Sequence, residues 1–112
     1  MGSSPVEVAY DELPQPPEYV LHLYITGATP NSTRAVRNIK EICELHLKGR
    51  YELLIIDIYQ QPELARQDQI VAAPTLIKKT PLPARRLIGD LSERERVLAA
   101  LGLPLLPPQQ QS

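Results

Sequence analysis

Cys43 and His46 stand three residues apart, which on a helix puts a thiol and an imidazole on one face at the spacing of two metal ligands. Such a site needs further ligands, and His22 is the only other imidazole in a chain with one cysteine. Packing of a buried, inert thiol beside a partly buried histidine is the stronger reading, and no metal or other cofactor is expected. A single cysteine also excludes an intrachain disulfide, a CxxC redox pair and a cysteine-rich zinc site, and it suits a reducing compartment. Asp57 lies near the end of an apolar run, where α/β active sites collect, but no nucleophile and base accompany it. Capping or solvating the loop beyond is its expected role. Lys78, Lys79, Arg85 and Arg86 concentrate positive charge, which either docks phosphate or an acidic protein surface or keeps an edge strand from aggregating.

The elements that position these residues follow from periodicity and punctuation. Tyr19 to Ile25 reads as a first strand, closed by Gly27. Asn31 or Ser32 is then the expected N-cap of a helix whose apolar positions Ala35, Val36, Ile39, Ile42, Cys43 and His46 recur every three or four residues, with Gly49 as its C′ residue. The nearly continuous apolar run from Tyr51 to Ile58 predicts a strand covered on both faces and parallel to the first. A shorter, weaker helical pattern runs from Pro62 to Ile70. Thr75 to Lys79 and Arg85 to Gly89 predict two strands of an antiparallel hairpin joined through Pro81-Leu82-Pro83. Ser92 with Glu95 predicts a capping box for a last helix, whose face is Val97, Leu98 and Leu101 and which Gly102 and Pro104 stop. The resulting α/β order, βαβαββα, is that of a thioredoxin-like domain.

In that fold the reactive cysteines sit between the first strand and the first helix, where a helix N-terminus lowers a thiol's pKa. Here that stretch is Thr26 to Ser32 and holds no sulfur, so redox catalysis is not expected. Ala73-Pro74, just before a strand, has two readings: a cis-proline that aligns a backbone edge for a partner, or plain loop geometry.

A chain of 112 residues, 43% of them apolar, fits one domain with a modest core. Residues 1–18 are proline-rich and carry Glu7, Asp11, Glu12 and Glu18 without a Lys or Arg, which predicts a flexible extension; residues 104–112, rich in Pro and Gln, predict a second flexible tail, leaving 19–103 as the domain. No stretch approaches the about 20 apolar residues that span a bilayer, and Val6 breaks the myristoylation pattern behind Gly2, so a cytoplasmic protein without a membrane partner is expected. A net charge of −1, no Trp and no Phe argue against a nucleic-acid partner.

Several linked segments carry something more specific: Tyr19-Val20-Leu21-His22-Leu23-Tyr24, Gly27-Ala28-Thr29-Pro30-Asn31-Ser32, Ile56-Asp57-Ile58, Pro62-Glu63-Leu64-Ala65, Ala73-Pro74-Thr75-Leu76 and Arg85 through Ser92. Over about residues 19–103 the chain resembles the KaiB family, small clock proteins of cyanobacteria with relatives elsewhere in bacteria. The resemblance implies a non-enzymatic protein that docks on a KaiC-type ATPase ring and modulates its phosphorylation cycle, sequesters KaiA and competes with a SasA-type histidine kinase. It also implies self-association to a dimer or tetramer, and two folds for one sequence: a KaiB ground state and a thioredoxin-like, partner-binding form. Partner contacts would fall on Arg34, Glu52, Leu54, Gln69, Arg85 and Arg86, and the fold switch on Pro74, Pro81, Pro83, Ala100 and Gly102.

The departures from the family pattern carry information too. Ala100 replaces a usual Gly, favouring helix by about 1 kcal/mol and so the thioredoxin-like form, and Gly102 replaces a usual Asp. Glu52, Leu54 and Gln69 stand where Ala, Lys and Lys are usual on the surface facing KaiC. The expected function is therefore a KaiB-like regulator of divergent type. The alternative is a stress-response or signalling adaptor of the same fold with a different protein partner; a glutathione-type transferase or redox fragment ranks below both.

Overall fold

Alternation sorts the first strand into two faces. β1 (Tyr19–Ile25) turns Tyr19, Leu21 and Leu23 to one side and Val20, His22 and Tyr24 to the other. The structure, a computed structural model, describes residues 16–71 and 73–104. The expected extensions, 1–18 and 104–112, lie outside the described residues except at 16–18 and 104.

After β1 come α1 (Pro30–His46), β2 (Tyr51–Asp57), α2 (Pro62–Gln67), β3 (Thr75–Thr80), β4 (Arg85–Ile88) and α3 (Arg94–Leu101). The sheet order is β2-β1-β3-β4, with β1 and β2 parallel and the other pairs antiparallel. This is the expected βαβαββα, thioredoxin-like arrangement. α1 and α3 cover the face of Tyr19, Leu21 and Leu23, where Ile39, Cys43, Leu76 and Leu98 complete the larger core. Leu21 and Leu23 are fully buried, each contributing about 1.5–3 kcal/mol through burial. α2 covers the other face with a smaller cluster, Tyr24, Ile56, Ala65 and Ile77.

Local boundaries differ from expectation for identifiable reasons. The N-cap of α1 is Thr29, not Asn31 or Ser32: its hydroxyl accepts the Ser32 N–H at 3.3 Å, and Pro30, which has no N–H to satisfy, occupies the first turn. Ser32 is buried, with its hydroxyl accepting from the Thr26 N–H at 3.0 Å. Leu47, not Gly49, follows the last turn; its N–H reaches the Cys43 carbonyl at 2.7 Å, and Gly49 with φ 78° serves the next turn, closed by Arg50 N–H to Leu47 O. α2 ends at Gln67, short of Ile70, because Gln69 takes φ 56°.

The capping box before α3 does not form. Glu93, not Ser92, is the N-cap and makes no side-chain cap bond; Ser92 falls one residue before it, its N–H donated to the Asp90 carboxylate at 3.0 Å. Gly102 does close α3, in the left-handed conformation at φ 74°. β2 is not covered on both faces. It is an edge strand in which only Ile56 is buried, since six residues of α2 are too few to roof its whole length.

Candidate docking face

The strand register defines what α2 leaves open. On the face of Tyr24, one row runs Ile56, Tyr24, Thr75, Ile88 across the sheet, and the next runs Leu54, His22, Ile77, Arg86. Beyond them Glu52 lies beside Val20. α2 roofs Tyr24, Ile56 and Ile77, whereas Leu54, 43% accessible, and Glu52 are exposed.

The carboxyl end of α2 is tied to three strands through one residue. Asp68 accepts from the Tyr24 hydroxyl of β1 at 2.5 Å and from the Lys79 ammonium of β3 at 2.8 Å. Arg86 of β4 donates to the backbone carbonyl of Asp68 at 2.7 Å and to that of Gln69 at 3.4 Å. Burial alone would raise the Asp68 carboxyl, but the hydrogen bonds from Lys79 and Tyr24 outweigh it and its pKa is lowered. Burial, with the Asp68 hydrogen bond, drives the Tyr24 hydroxyl well above its ordinary value. His22 lies beside this network, its Nδ1 buried without a partner; burial first and Lys79 second hold its pKa below the usual value.

Glu52, Leu54, Gln69 and Arg86 therefore share one side of the sheet, with Gln69 exposed just past α2. Arg85 does not join them. It sits opposite Lys78, whose side chain follows that of Leu76 onto the α1 and α3 face. Arg34 is on α1 and is held within the fold, donating to Asp90 at 3.2 Å and to Asn31. Among the residues assigned to fold switching, Pro74, Pro81 and Pro83 all follow cis peptide bonds, Ala100 is in the last turn of α3, and Gly102 closes that helix. Asp68, Tyr24 and His22 were not singled out for this face; their convergence depends on pairings distant in sequence. The burial of Lys78 was missed as well, although its two-residue spacing from Leu76 carried the signal.

Elsewhere the chemistry-bearing residues take quiet roles. Cys43 is fully buried, and its thiol is pushed up to about 12 by burial and then by Glu44. Asp57 accepts the Tyr59 N–H at 2.9 Å on its carboxylate, and its carbonyl accepts from Gln60 and Gln61, which shapes the turn after β2. Among the described residues no group of three His, Cys, Asp or Glu is placed to hold a metal ion, and no helix is long and apolar enough to cross a membrane.

The family model of the KaiB domain matches residues 22–103. The chain belongs to the KaiB family. A KaiB relative named circadian clock oscillator protein, from Synechococcus elongatus, is 53% identical over 85 residues, covering 76% of this chain and 83% of the relative. A KaiB relative of the same name from Prochlorococcus marinus is 55% identical over 85 residues, covering 76% and 79%. Among solved structures, the N-terminal domain of Synechococcus elongatus SasA superposes with a TM-score of 0.63 at 24% identity, covering 99% of this KaiB-family chain and 98% of that domain. The Drosophila melanogaster thioredoxin Deadhead gives 0.64 at 12% identity, covering 78% and 82%. At these identities the likeness is one of fold, and it is thioredoxin-like.

Proposed function

We propose that this chain is a non-enzymatic, clock-type regulator that docks on a KaiC-type ATPase ring and modulates its phosphorylation cycle. The observation that carries the reading is the half-roofed second face of the sheet, where Glu52, Leu54 and Gln69 are exposed around the end of α2 in a chain of the KaiB family. An exposed leucine bordered by a carboxylate and an amide suits a protein surface better than a small-molecule pocket. Relatives named circadian clock oscillator proteins support the clock assignment. In this reading Arg86 fixes the α2 end of the face, Arg34 and Arg85 contribute charge, and KaiA and a SasA-type kinase are further partners. Self-association, a fold switch involving Pro74, Pro81, Pro83, Ala100 and Gly102, and residence in the cytoplasm belong to the same proposal. The test is size-exclusion chromatography of the purified chain with the KaiC-type ATPase of its own cell, with and without nucleotide. Co-elution that Leu54→Asp abolishes is the expected result; no association under any nucleotide state would overturn the proposal.

One observation favours a different protein partner. The exposed Glu52, Leu54 and Gln69 replace a pattern of Ala, Lys and Lys that the family resemblance implies, so the face has lost two cations and gained an anion. The triple variant Glu52→Ala, Leu54→Lys, Gln69→Lys separates the two readings. Weaker binding to the cell's own ATPase means that the native face matches a divergent ring. Absent binding by the native chain with binding by the variant means that the native partner is another protein, as for a stress-response or signalling adaptor.

A further inference from the structure

β2 forms one edge of the sheet, and its outer backbone is open. The Arg50 carbonyl accepts the Tyr19 N–H at 3.0 Å, and the Ile58 N–H reaches the Ile25 carbonyl at 2.9 Å. Between these two bonds the ladder is unbroken, so every second residue, Glu52, Leu54 and Ile56, turns its backbone groups to β1. The N–H and C=O groups of Tyr51, Leu53 and Ile55 therefore point away from the sheet, and among the described residues they have no hydrogen-bond partner. Their side chains are half-buried and line, with Lys40 and Glu44 of α1, an open groove along the same edge. An edge of this kind, apolar beside a row of unpaired amides, is a template for one more strand.

The chain itself supplies a segment of matching length and pattern. In Val6-Glu7-Val8-Ala9-Tyr10 the large apolar side chains fall on alternate positions, and five residues at about 3.3 Å each equal the stretch from Tyr51 to Ile55. Residues 1–15 join the described chain at Pro16, which with Pro17 lines a cleft against Gly49, Tyr51 and Glu52, at the start of β2. Asp11 to Gln15 can reach about 17 Å, more than the roughly 5 Å between neighbouring strands. A segment tethered at that end lies along β2 in the antiparallel sense. Charge agrees with this direction: Glu7, Asp11 and Glu12 carry the only charged side chains of residues 6–15, and Asp11 and Glu12 fall at the end of β2 that holds Lys48 and Arg50. Arg50 already pairs with Glu18, whereas Lys48 has no ion pair or hydrogen bond among the described residues. We propose that Val6–Tyr10 add to β2 as a fifth, antiparallel strand, with Val6, Val8 and Tyr10 opposite Ile55, Leu53 and Tyr51. In this register each opposed pair exchanges both of its backbone hydrogen bonds, and the three apolar side chains share the groove beside α1.

The experiment is amide hydrogen exchange followed by NMR on the full chain at two protein concentrations. Exchange of the Tyr51, Leu53 and Ile55 amides at least about tenfold slower than that of an unpaired amide, and independent of concentration, is expected. Val8→Pro removes the N–H aimed at Leu53, and Val8→Asp puts a charge into the groove. Each should restore fast exchange at those three amides, while Glu52, Leu54 and Ile56, bonded to β1, keep their protection. Ala9→Ser, whose side chain lies on the other face of the added strand, should change nothing. Fast exchange of Tyr51, Leu53 and Ile55 in the native chain would overturn the proposal. So would protection that grows with concentration, which assigns the edge to a second copy of the chain, or protection that survives both Val8 variants, which assigns it to a different segment.

Discussion

Arg34 and Asp90, 56 positions apart in the chain, meet at 3.2 Å and tie α1 to the loop that leads into α3. The same loop is held by Asn38, which donates to the Asp90 carbonyl at 2.9 Å, and by the Ser92 N–H on the Asp90 carboxylate. Hydrogen bonds from Ser92, and then the one from Arg34, keep the Asp90 carboxyl below the usual range. Arg34 thus has an internal task whatever it contributes to docking.

Arg34→Ala and Asp90→Ala should each lower the thermal midpoint, and the double variant should lower it by less than the sum, because the second change removes a partner already lost. Thermal melts of the four proteins check this. A partner-binding defect in Arg34→Ala that Asp90→Ala does not share would assign the loss to contact with the partner and not to a loosened loop.

Tyr24→Phe should destabilise the domain by about 1–2 kcal/mol. It deletes the hydroxyl that donates to Asp68 while keeping the ring in the smaller core. Urea denaturation at neutral pH is the measurement, with an unchanged slope expected because the area exposed on unfolding does not change.

His22 sets an acid limit. Its folded pKa is lowered below 6.5, so the unfolded chain takes up its proton first and native stability falls as pH drops through about 6.5, levelling off below the folded pKa. The groups around it oppose one another: Lys79 of β3 lowers the pKa, whereas Asp68 past α2 and Glu52 of β2 raise it, with Leu54 and Ile77 as flanking apolar neighbours. His22→Gln should flatten the stability profile as pH falls through about 6.5. An unchanged slope in that variant would assign the acid sensitivity to other groups.

Cys43 should be inert towards iodoacetamide in the native state and react only when the domain unfolds. The thiol is fully buried and its pKa is pushed up to about 12. Labelling followed along a urea curve should coincide with the loss of circular dichroism.

Much of the architecture was legible before any coordinates. Val20 to Ile25, Ile39 to Cys43 and Val97 to Leu101 carry their periods openly, and Gly102 marks a helix end that only a residue tolerant of φ 74° fits well. What escaped was decided by competition between neighbours. The Ser92 and Glu95 spacing suggests a cap at Ser92, but the helix begins one residue later, with Ser92 in the loop that Asp90, Arg34 and Asn38 hold together. Tyr51 to Ile58 reads as a central strand because its composition does not reveal how many strands will flank it, and at the edge of a sheet Leu54 stays exposed. The candidate face was half legible. Glu52, Leu54 and Gln69 follow from the family resemblance, whereas the convergence of Tyr24, Asp68, Lys79 and Arg86 required the strand order.

That strand order also bears on how the chain is assembled. Because β1 pairs with β2 on one edge and β3 on the other, the β1-α1-β2 unit can close once residue 57 has left the ribosome, and the rest then adds to an edge already in place. Among the described residues, the strands of the two halves meet along one seam, β1 against β3. Substitutions that weaken this seam therefore loosen β3 and β4 from the sheet while the β1–β2 ladder keeps its own rungs.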